Sequence, residues 1–457
     1  MIRLHAEELK PYPEPSIVAR QLAHLPHLLF LDSAEVHAER GRYSYIMAAP
    51  SAWYTQPSLA LSEMRKQLAE QKPLRPTLPG LPPFQGGFAG LFSYGFGRQF
   101  EQIPHSRFDE FAVDDLAIGR YDWVIAFDHL QATAWLIAPE DLLNSAELRA
   151  VRQGLVTAQM ELPKVVQYPP VSLLAPSFSL RGFANVQSNF DRAGYVAAVR
   201  RAVEYVHAGD VFQVNLSQRL LTPLREHPLE LYSRLRVRNP APFSCYFDAG
   251  AFQIVSSSPE RFLLADATGH VSTKPIKGTR PRGKTPEADA ELLHDLQTSA
   301  KDRAENVMIV DLLRNDLGRV CEYGSVCVPR ICEVESYRYV HHLVSEVCGK
   351  LAPNRSSLDL LCASFPGGSV TGAPKVRAME IIAELEPTAR GPYCGSIGFL
   401  GYDGAMDTNI LIRTFTAAKG WLQFPVGGGI VADSLPETEY EETLHKAAGL
   451  LRALDVG

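Results

Sequence analysis

The chain has 457 residues, 46% apolar and 21% charged, with a formal net charge of -6. That is the composition of a globular protein with a large core, holding two or three domain-sized units or one large two-layered one. The acidic balance, without any basic run interleaved with aromatics, excludes a nucleic-acid-binding surface, so any anion must be handled by a local site.

At the N-terminus, MIRLHAEELKPYPEPS has neither the basic start nor the apolar stretch of a signal peptide, and no segment approaches 18 continuous apolar residues. A cytoplasmic protein without a membrane partner is expected. Strand and turn signals dominate the N-terminal half, in GRYSYIMAAP (41–50), FQGGFAGLFSYGFG (84–97) and YDWVIAFDH (121–129). This half reads as scaffold or regulation. Residues 163–180, rich in Pro and Ser without helical periodicity, mark a seam, giving an N-terminal subdomain over 1–165 and a catalytic subdomain over 186–457.

The second half opens with a helix, starting at Ser188 or Asp191 and stopping at Gly209, with Tyr195, Val199, Ala202 and Val206 as its buried stripe. FQVNLSQRL then alternates Phe212, Val214 and Leu216 against Gln213, Asn215 and Ser217, a half-buried strand with one polar face. After VSSSPERFLL (255–264) comes PIKGTRPRG (275–283), read as a tight polar turn carrying Lys277. A helix over 301–316 follows. In it Met308, Ile309 and Leu312 stand three, four and seven residues beyond Glu305, so a carboxylate falls on the apolar face and must be paired, protonated or bound to a cation.

Seven cysteines between positions 245 and 394 contain no CxxC and read as reduced, structural thiols without zinc or disulfide. FPGGSVTGAPKVRAMEII (365–382) is a glycine-rich turn entering a helix at Ala373 and Pro374, able to hold an anion on free backbone N–H groups. It lacks the Lys-Ser/Thr pair of a nucleotide-binding loop, and Lys375 comes late, so a carboxylate is the better ligand. In the last segment, GGGIVADSLPETEYEETLHKAAGLLRAL (427–454), Ser434 and Glu437 read as a capping box. Glu439, Glu442 and Lys446 share one helix face, and Tyr440, Leu444, Ala447 and Leu451 the apolar one. Glu442 could simply pair with Lys446, or join Glu305 around a hard divalent cation.

Taken together, SSSPERF, the PIxGT turn, DRAENVMIVDLLRNDLGRV, YRYVHHLVSEV, FPGGSVTGAPK, RGPYCGSIGF, NILIRTF and GGGIVADSLPETEYEET resemble the chorismate-utilising enzymes, in that family's order over residues 188–451. GRYSYI and FQGGFAGLFSYGFGR extend the resemblance into the N-terminal half. The resemblance implies an α/β (α+β) fold, with two antiparallel β-sheets packed as a sandwich and helices outside. It implies Lys277 as a covalent nucleophile, Glu260 as general acid and His342 beside a departing hydroxyl. Glu305 and Glu442 would hold Mg2+, with Glu439 close behind, and Gln213, Thr279, Ser369, Thr371, Gly372, Arg413, Gly428 and Lys446 would contact substrate. At position 428 the family often has Ala.

Branches of the family that form anthranilate or isochorismate carry Ala where this chain has Lys277, whereas the branch that aminates chorismate at C4 carries Lys. Gln213 replaces the lysine with which the water-adding branches activate water. The resemblance therefore implies formation of 4-amino-4-deoxychorismate from chorismate and ammonia, by two allylic displacements through a Lys277 adduct. The 457 residues include no glutaminase domain, so nitrogen is expected from a separate glutamine amidotransferase subunit or free ammonia. Alternatives are an anthranilate-forming enzyme and a catalytically silent regulatory subunit. FLDSA (30–34) matches the segment that binds tryptophan in the anthranilate branch, making Asp32, Ser33 and Tyr43 candidate tryptophan contacts.

Overall fold

The computed structural model describes residues 2–454 except 73, 158–161, 163–171, 181, 184, 338 and 339. Half of the proline-rich seam, 163–171, thus lies outside the described residues. Two antiparallel sheets, of 13 and 10 strands, face each other, and each combines strands from both halves of the chain. Leu29–Asp32, for example, lies between Tyr43–Met47 and Phe243–Asp248, while Gly87–Phe92 pairs with Ser396–Gly401.

Strand alternation builds the layers. In Leu29–Asp32, Leu29 enters the sandwich interior with Tyr45, Met47, Leu91, Phe247 and Phe399, whereas Phe30 points to the other face and packs with Ile46, Phe127 and Phe415. Helices Pro228–Arg238 and Pro436–Leu454 close that outer face, Pro57–Gln71 and Ala300–Gly318 pack against the ten-stranded sheet, and Lys375–Leu385 packs on strand Gln213–Pro223 of the larger one. Each fully buried phenylalanine contributes about 2–3 kcal/mol of transfer free energy. Among the described residues no helix is long and apolar enough to cross a membrane. All seven cysteines are free.

Several elements follow their local signals. Helix Arg192–His207 is capped by Asp191, whose carboxylate accepts from Gly194 N at 2.7 Å, and Gly209 ends it at φ +82°. Tyr195, Val199 and Ala202 are buried along it, with Val206 partly so.

Others depart from expectation. Strand Gln213–Pro223 forms, but Phe212 lies just outside it and is 71% exposed, whereas Gln213 on the supposed polar face is fully buried. The reason is that Gly372–Ala373 pairs with the start of this strand and covers the Gln213 side. PIKGTRPRG is not a turn: Ile276–Pro281 is a strand paired with Val340–Lys350, with a register shift between Ile276 and Thr279. Gly278 at φ +85° makes that irregularity possible. Nor does Ser434 form a capping box with Glu437. Its hydroxyl donates to Glu439 at 2.6 Å, and Glu437 instead pairs with Arg200.

Candidate active site

Two neighbouring chain crossings between the sheets build one wall of the site. Pro259 and Glu260 carry the chain from strand Gln253–Ser258 of the larger sheet to Arg261–Ala265 of the smaller one. Residues 410–413 carry it back, from Met406–Asn409 to Thr414–Ala418. Backbone bonds tie the crossings together, Ile410 N to Glu260 O and Ser257 N to Arg413 O. Arg413 sits at φ +50°, a conformation costly for a residue with a Cβ and held by this double crossing.

Glu260 is 7% exposed and accepts a hydrogen bond from Ser369 Oγ at 2.8 Å. Burial raises its carboxyl above the ordinary range, against the pull of Ser369, Lys277, Arg40 and Arg413. It is therefore a carboxyl able to hold a proton and give it up. Across the site, His342 is paired through its ring Nδ1 with Thr279 Oγ1 at 2.8 Å, the two residues facing each other in the strand register. Burial, with Arg413, Arg40 and His341 nearby, pushes His342 down to about 3, so its ring is neutral.

The bulge sets Lys277 between these groups and the carboxylate helices. Its side chain is half-buried and makes neither a hydrogen bond nor an ion pair with the described residues. Burial lowers its pKa from the ordinary lysine value. Glu305, Glu260 and Glu442 oppose that shift and Lys446 reinforces it. A neutral amine is a nucleophile; an ammonium is not.

Helices Ala300–Gly318 and Pro436–Leu454 supply the acidic side. Ile309 is buried and Met308 partly so, leaving Glu305 beside them with a side chain 16% exposed, 3.9 Å from Lys301. Burial raises the Glu305 and Glu439 carboxyls, and Glu442 contributes to both shifts. Burial would raise Glu442, but the ion pair with Lys446 at 2.7 Å, together with Lys301 and Lys277, leaves it lowered. Lys446 also donates to Gly427 O at 3.0 Å. Above Gly428 the side chains converge: a methyl group there would meet Glu442 Oε1 at 3.3 Å, Glu439 Oε2 at 3.4 Å and Lys446 Nζ at 3.4 Å.

Among the described residues no three His, Cys, Asp or Glu side chains stand as a formed metal cluster. Magnesium does not need one, since it is commonly held by one or two carboxylates with waters and substrate oxygens. The donors fit: Glu305 and Glu442 are carboxylates within each other's field, and a cation between them would relieve the repulsion that helps raise Glu305.

The remaining candidates divide. Gln213 is fully buried, and neither its amide N nor its O has a partner among the described residues, the amide N lying against Gly429. Gly372, at φ +149°, brings the glycine-rich turn so close to this strand that a Cβ would stand 2.1 Å from Gln213 O. Ser369 faces Glu260, but Thr371 turns its hydroxyl back to Gly367 O at 3.0 Å. Lys375 is drawn away to Asp316 and Ser364 O. Arg40, Asn215 and Lys301 also border the site. Alternation puts Asn215 on the polar strand face without marking it as a site residue, and neither Arg40 in its loop nor Lys301 at its helix start carries a periodic signal.

In the N-terminal half, Asp32 is 2% exposed and accepts from Tyr232 OH at 2.7 Å, Arg236 Nε at 2.9 Å and Ser44 Oγ at 3.3 Å. Ser33 donates to Tyr43 O at 2.6 Å, and Arg42 lies over the Tyr43 ring.

An amine whose pKa burial lowers, a carboxyl whose pKa burial raises, a neutral imidazole and a carboxylate pair thus gather at a crossing between two antiparallel sheets and form the candidate active site. The chain belongs to the chorismate binding enzymes, whose family profile matches residues 29–452. Similar proteins include anthranilate synthase component 1 of Thermus thermophilus, 47% identical over 378 residues covering 83% of this chain and 79% of that one. Aminodeoxychorismate synthase component 1 of Escherichia coli is 41% identical over 450 residues, 95% of each chain. The crystal structure of anthranilate synthase component I from Streptococcus pneumoniae superposes with a TM-score of 0.76 at 31% identity, covering 91% of this chain and 94% of that one. The menaquinone-specific isochorismate synthase of E. coli shares the fold, with a TM-score of 0.72 at 19% identity over 99% of this chain and 94% of that one.

Proposed function

We propose that this protein aminates chorismate at C4, giving 4-amino-4-deoxychorismate for 4-aminobenzoate and folate synthesis in the cytoplasm, with ammonia supplied by a glutamine amidotransferase subunit. The observation that carries this reading is Lys277: half-buried, without a side-chain partner among the described residues, its pKa lowered by burial, between the acid Glu260 and the Glu305–Glu442 side. In the first step the Lys277 amine bonds to ring C2, the ring double bonds shift, and the C4–O bond breaks as Glu260 gives its proton to the leaving hydroxyl, which departs as water. In the second, ammonia bonds to C4, the double bonds shift back, and the C2–N bond breaks to return Lys277. The net change is chorismate plus ammonia to aminodeoxychorismate plus water.

Gln213 supports an ammonia-using reaction, because an amide cannot deprotonate water as a lysine amine can. Neutral His342, with Thr279, would face the departing hydroxyl. Arg413, Lys446 and the backbone at Gly372 and Gly428 would take the substrate carboxylates. Bound magnesium, held by Glu305 and Glu442 with Glu439 behind them, would neutralise the ring carboxylate. Asp32, Ser33 and Tyr43 are the candidate tryptophan contacts, but Asp32 is already held by Tyr232, Arg236 and Ser44, so a tryptophan ammonium would have to displace one of them; calorimetric titration with tryptophan tests whether it binds.

A second reading, anthranilate formation, is favoured by the 47% identity to the T. thermophilus relative. Incubation with chorismate, ammonia and magnesium separates the two by product. Aminodeoxychorismate is expected, and anthranilate with pyruvate would overturn the proposal. Complete absence of turnover would instead point to a silent subunit.

A further inference from the structure

Strands Leu29–Asp32 and Tyr43–Met47, both in the N-terminal half, are joined by residues 33–42. In this loop Val36 to Glu39 are exposed, yet Arg40 is 6% exposed. A guanidinium is always charged and is almost never buried without a partner, so the loop must be built to deliver it. It is a tight ring: His37 and Gly41 exchange backbone hydrogen bonds, and a Cβ on Gly41 would stand 2.2 Å from Glu35 O.

The loop grips the catalytic half at several points. Glu39 pairs with Lys274 at 3.0 Å and Arg330 at 3.5 Å, and its carbonyl accepts from Arg261, the neighbour of Glu260, at 3.4 Å. Arg40 Nη2 lies 2.6 Å from Glu335 Oε2, and its guanidinium lies 5.8 Å from the Tyr337 ring centroid. Tyr337 in turn donates to Glu335 at 2.6 Å and meets the His342 ring edge-on at 5.5 Å. The Glu335 contact is an ion pair by distance only, because Arg40 Nη2 has no hydrogen-bond partner among the described residues, so the buried charge is felt by the groups beside it.

We propose that Arg40, carried from the N-terminal half, is a positioning residue of the catalytic centre, acting through Glu335 and Tyr337 to fix His342 and setting a permanent positive charge opposite Glu260 and His342. The N-terminal half thereby supplies part of the reaction site. The inference rests on the proposed roles of Glu260 and His342. The electrostatics agree: Arg40 lowers both groups, alongside Arg413 and His341 at His342, and alongside Ser369, Lys277 and Arg413 at Glu260.

The test is steady-state kinetics with chorismate, saturating ammonia and magnesium, for the whole protein and for Arg40→Met, Arg40→Lys and Tyr337→Phe, with thermal melting of each. Arg40→Met is expected to lower kcat about ten- to a hundredfold, the range for an outer partner of a catalytic group. KM for chorismate should move less than about threefold. Both limbs of the pH–kcat profile should shift upward. Loss of a positive charge lets His342 protonate, and Glu260 keep its proton, at higher pH. Arg40→Lys should restore the limbs while recovering kcat only in part, because an ammonium keeps the charge without the planar contact.

A rise in KM alone would make Arg40 a substrate anchor and overturn the proposal, as would unchanged kcat and pH limbs. Should Arg40→Met fail to fold, Tyr337→Phe carries the test, with a smaller fall in kcat in the same direction; no fall would overturn it. Product identity is read separately in the same assays, so a different product would sink the proposed function without touching the comparison among Arg40 variants.

Discussion

Two clusters of buried charge in this protein are chemically alike and physically opposite. At Asp32 both carboxylate oxygens are engaged: Tyr232 and Arg236 meet Oδ2, Ser44 meets Oδ1, and Arg236 also pairs with Glu14. Around Lys277 the groups are left short. The amine has no partner among the described residues, the Gln213 amide has none, and burial raises the Glu305 and Glu439 carboxyls. A closed network spends its charges on one another and holds strands together, whereas an open one keeps them available for a molecule that arrives later.

The largest expected effect that would sharpen this contrast is at Lys277. Lys277→Ala should abolish amination, a fall on the order of 10^3-fold or more, while magnesium-dependent chorismate binding persists. Mass spectrometry of the unsubstituted protein given chorismate without ammonia should find the adduct on Lys277. Loss of binding with the fold intact would make the lysine an anchor instead. Next, Glu260→Gln should cost roughly 10^2- to 10^4-fold in kcat with little change in melting temperature, because Ser369 can still hydrogen-bond the amide; a rate within a few-fold of the original would remove Glu260 from the chemistry.

The closed cluster should answer with stability instead. Asp32→Asn leaves the Arg236 guanidinium without its buried counter-charge and should cost about 3–5 kcal/mol in urea unfolding, with kcat unchanged. An equal loss of activity would mean that the two clusters are not separate. The smallest effect concerns His342, whose folded value of about 3 lies below the ordinary 6.5. The unfolded chain therefore binds a proton that the folded one refuses, and stability falls as pH drops from 6.5 toward 3. His342→Asn should remove about 2 kcal/mol of the decline between pH 7 and pH 5, measured by denaturation at both. An unchanged decline would show that the ring is not held neutral.

Local features were legible where the governing interaction is short-ranged. Asp191 caps its helix three residues from the N–H it binds, and Ile309 follows Glu305 onto the core side by helical spacing alone. The same rules failed where a distant segment intervened. Ser434 and Glu437 have capping-box spacing, yet Glu437 pairs with Arg200 from another helix and the Ser434 hydroxyl goes to Glu439. Phe212 and Gln213 exchange their expected exposure because Gly372–Ala373, some 160 positions away in the chain, packs across the strand start. The motif around Lys277 located the lysine but not its backbone, since a bulge depends on register with Val340–Lys350.

By itself the sequence determined the family, the two-sheet fold that comes with it, the helices with strong caps and stripes, and which side chains deserve attention around Lys277. Tertiary structure alone decided their environment. The double crossing buries Glu260 beside Arg413, the bulge sets Lys277 among three carboxylates, and a loop from the N-terminal half brings Arg40 to Tyr337 and His342. The physical reason is range. Caps and periodicities act over a few residues along the chain, but desolvation and charge act through space, and they take their values only once residues hundreds of positions apart have been packed together.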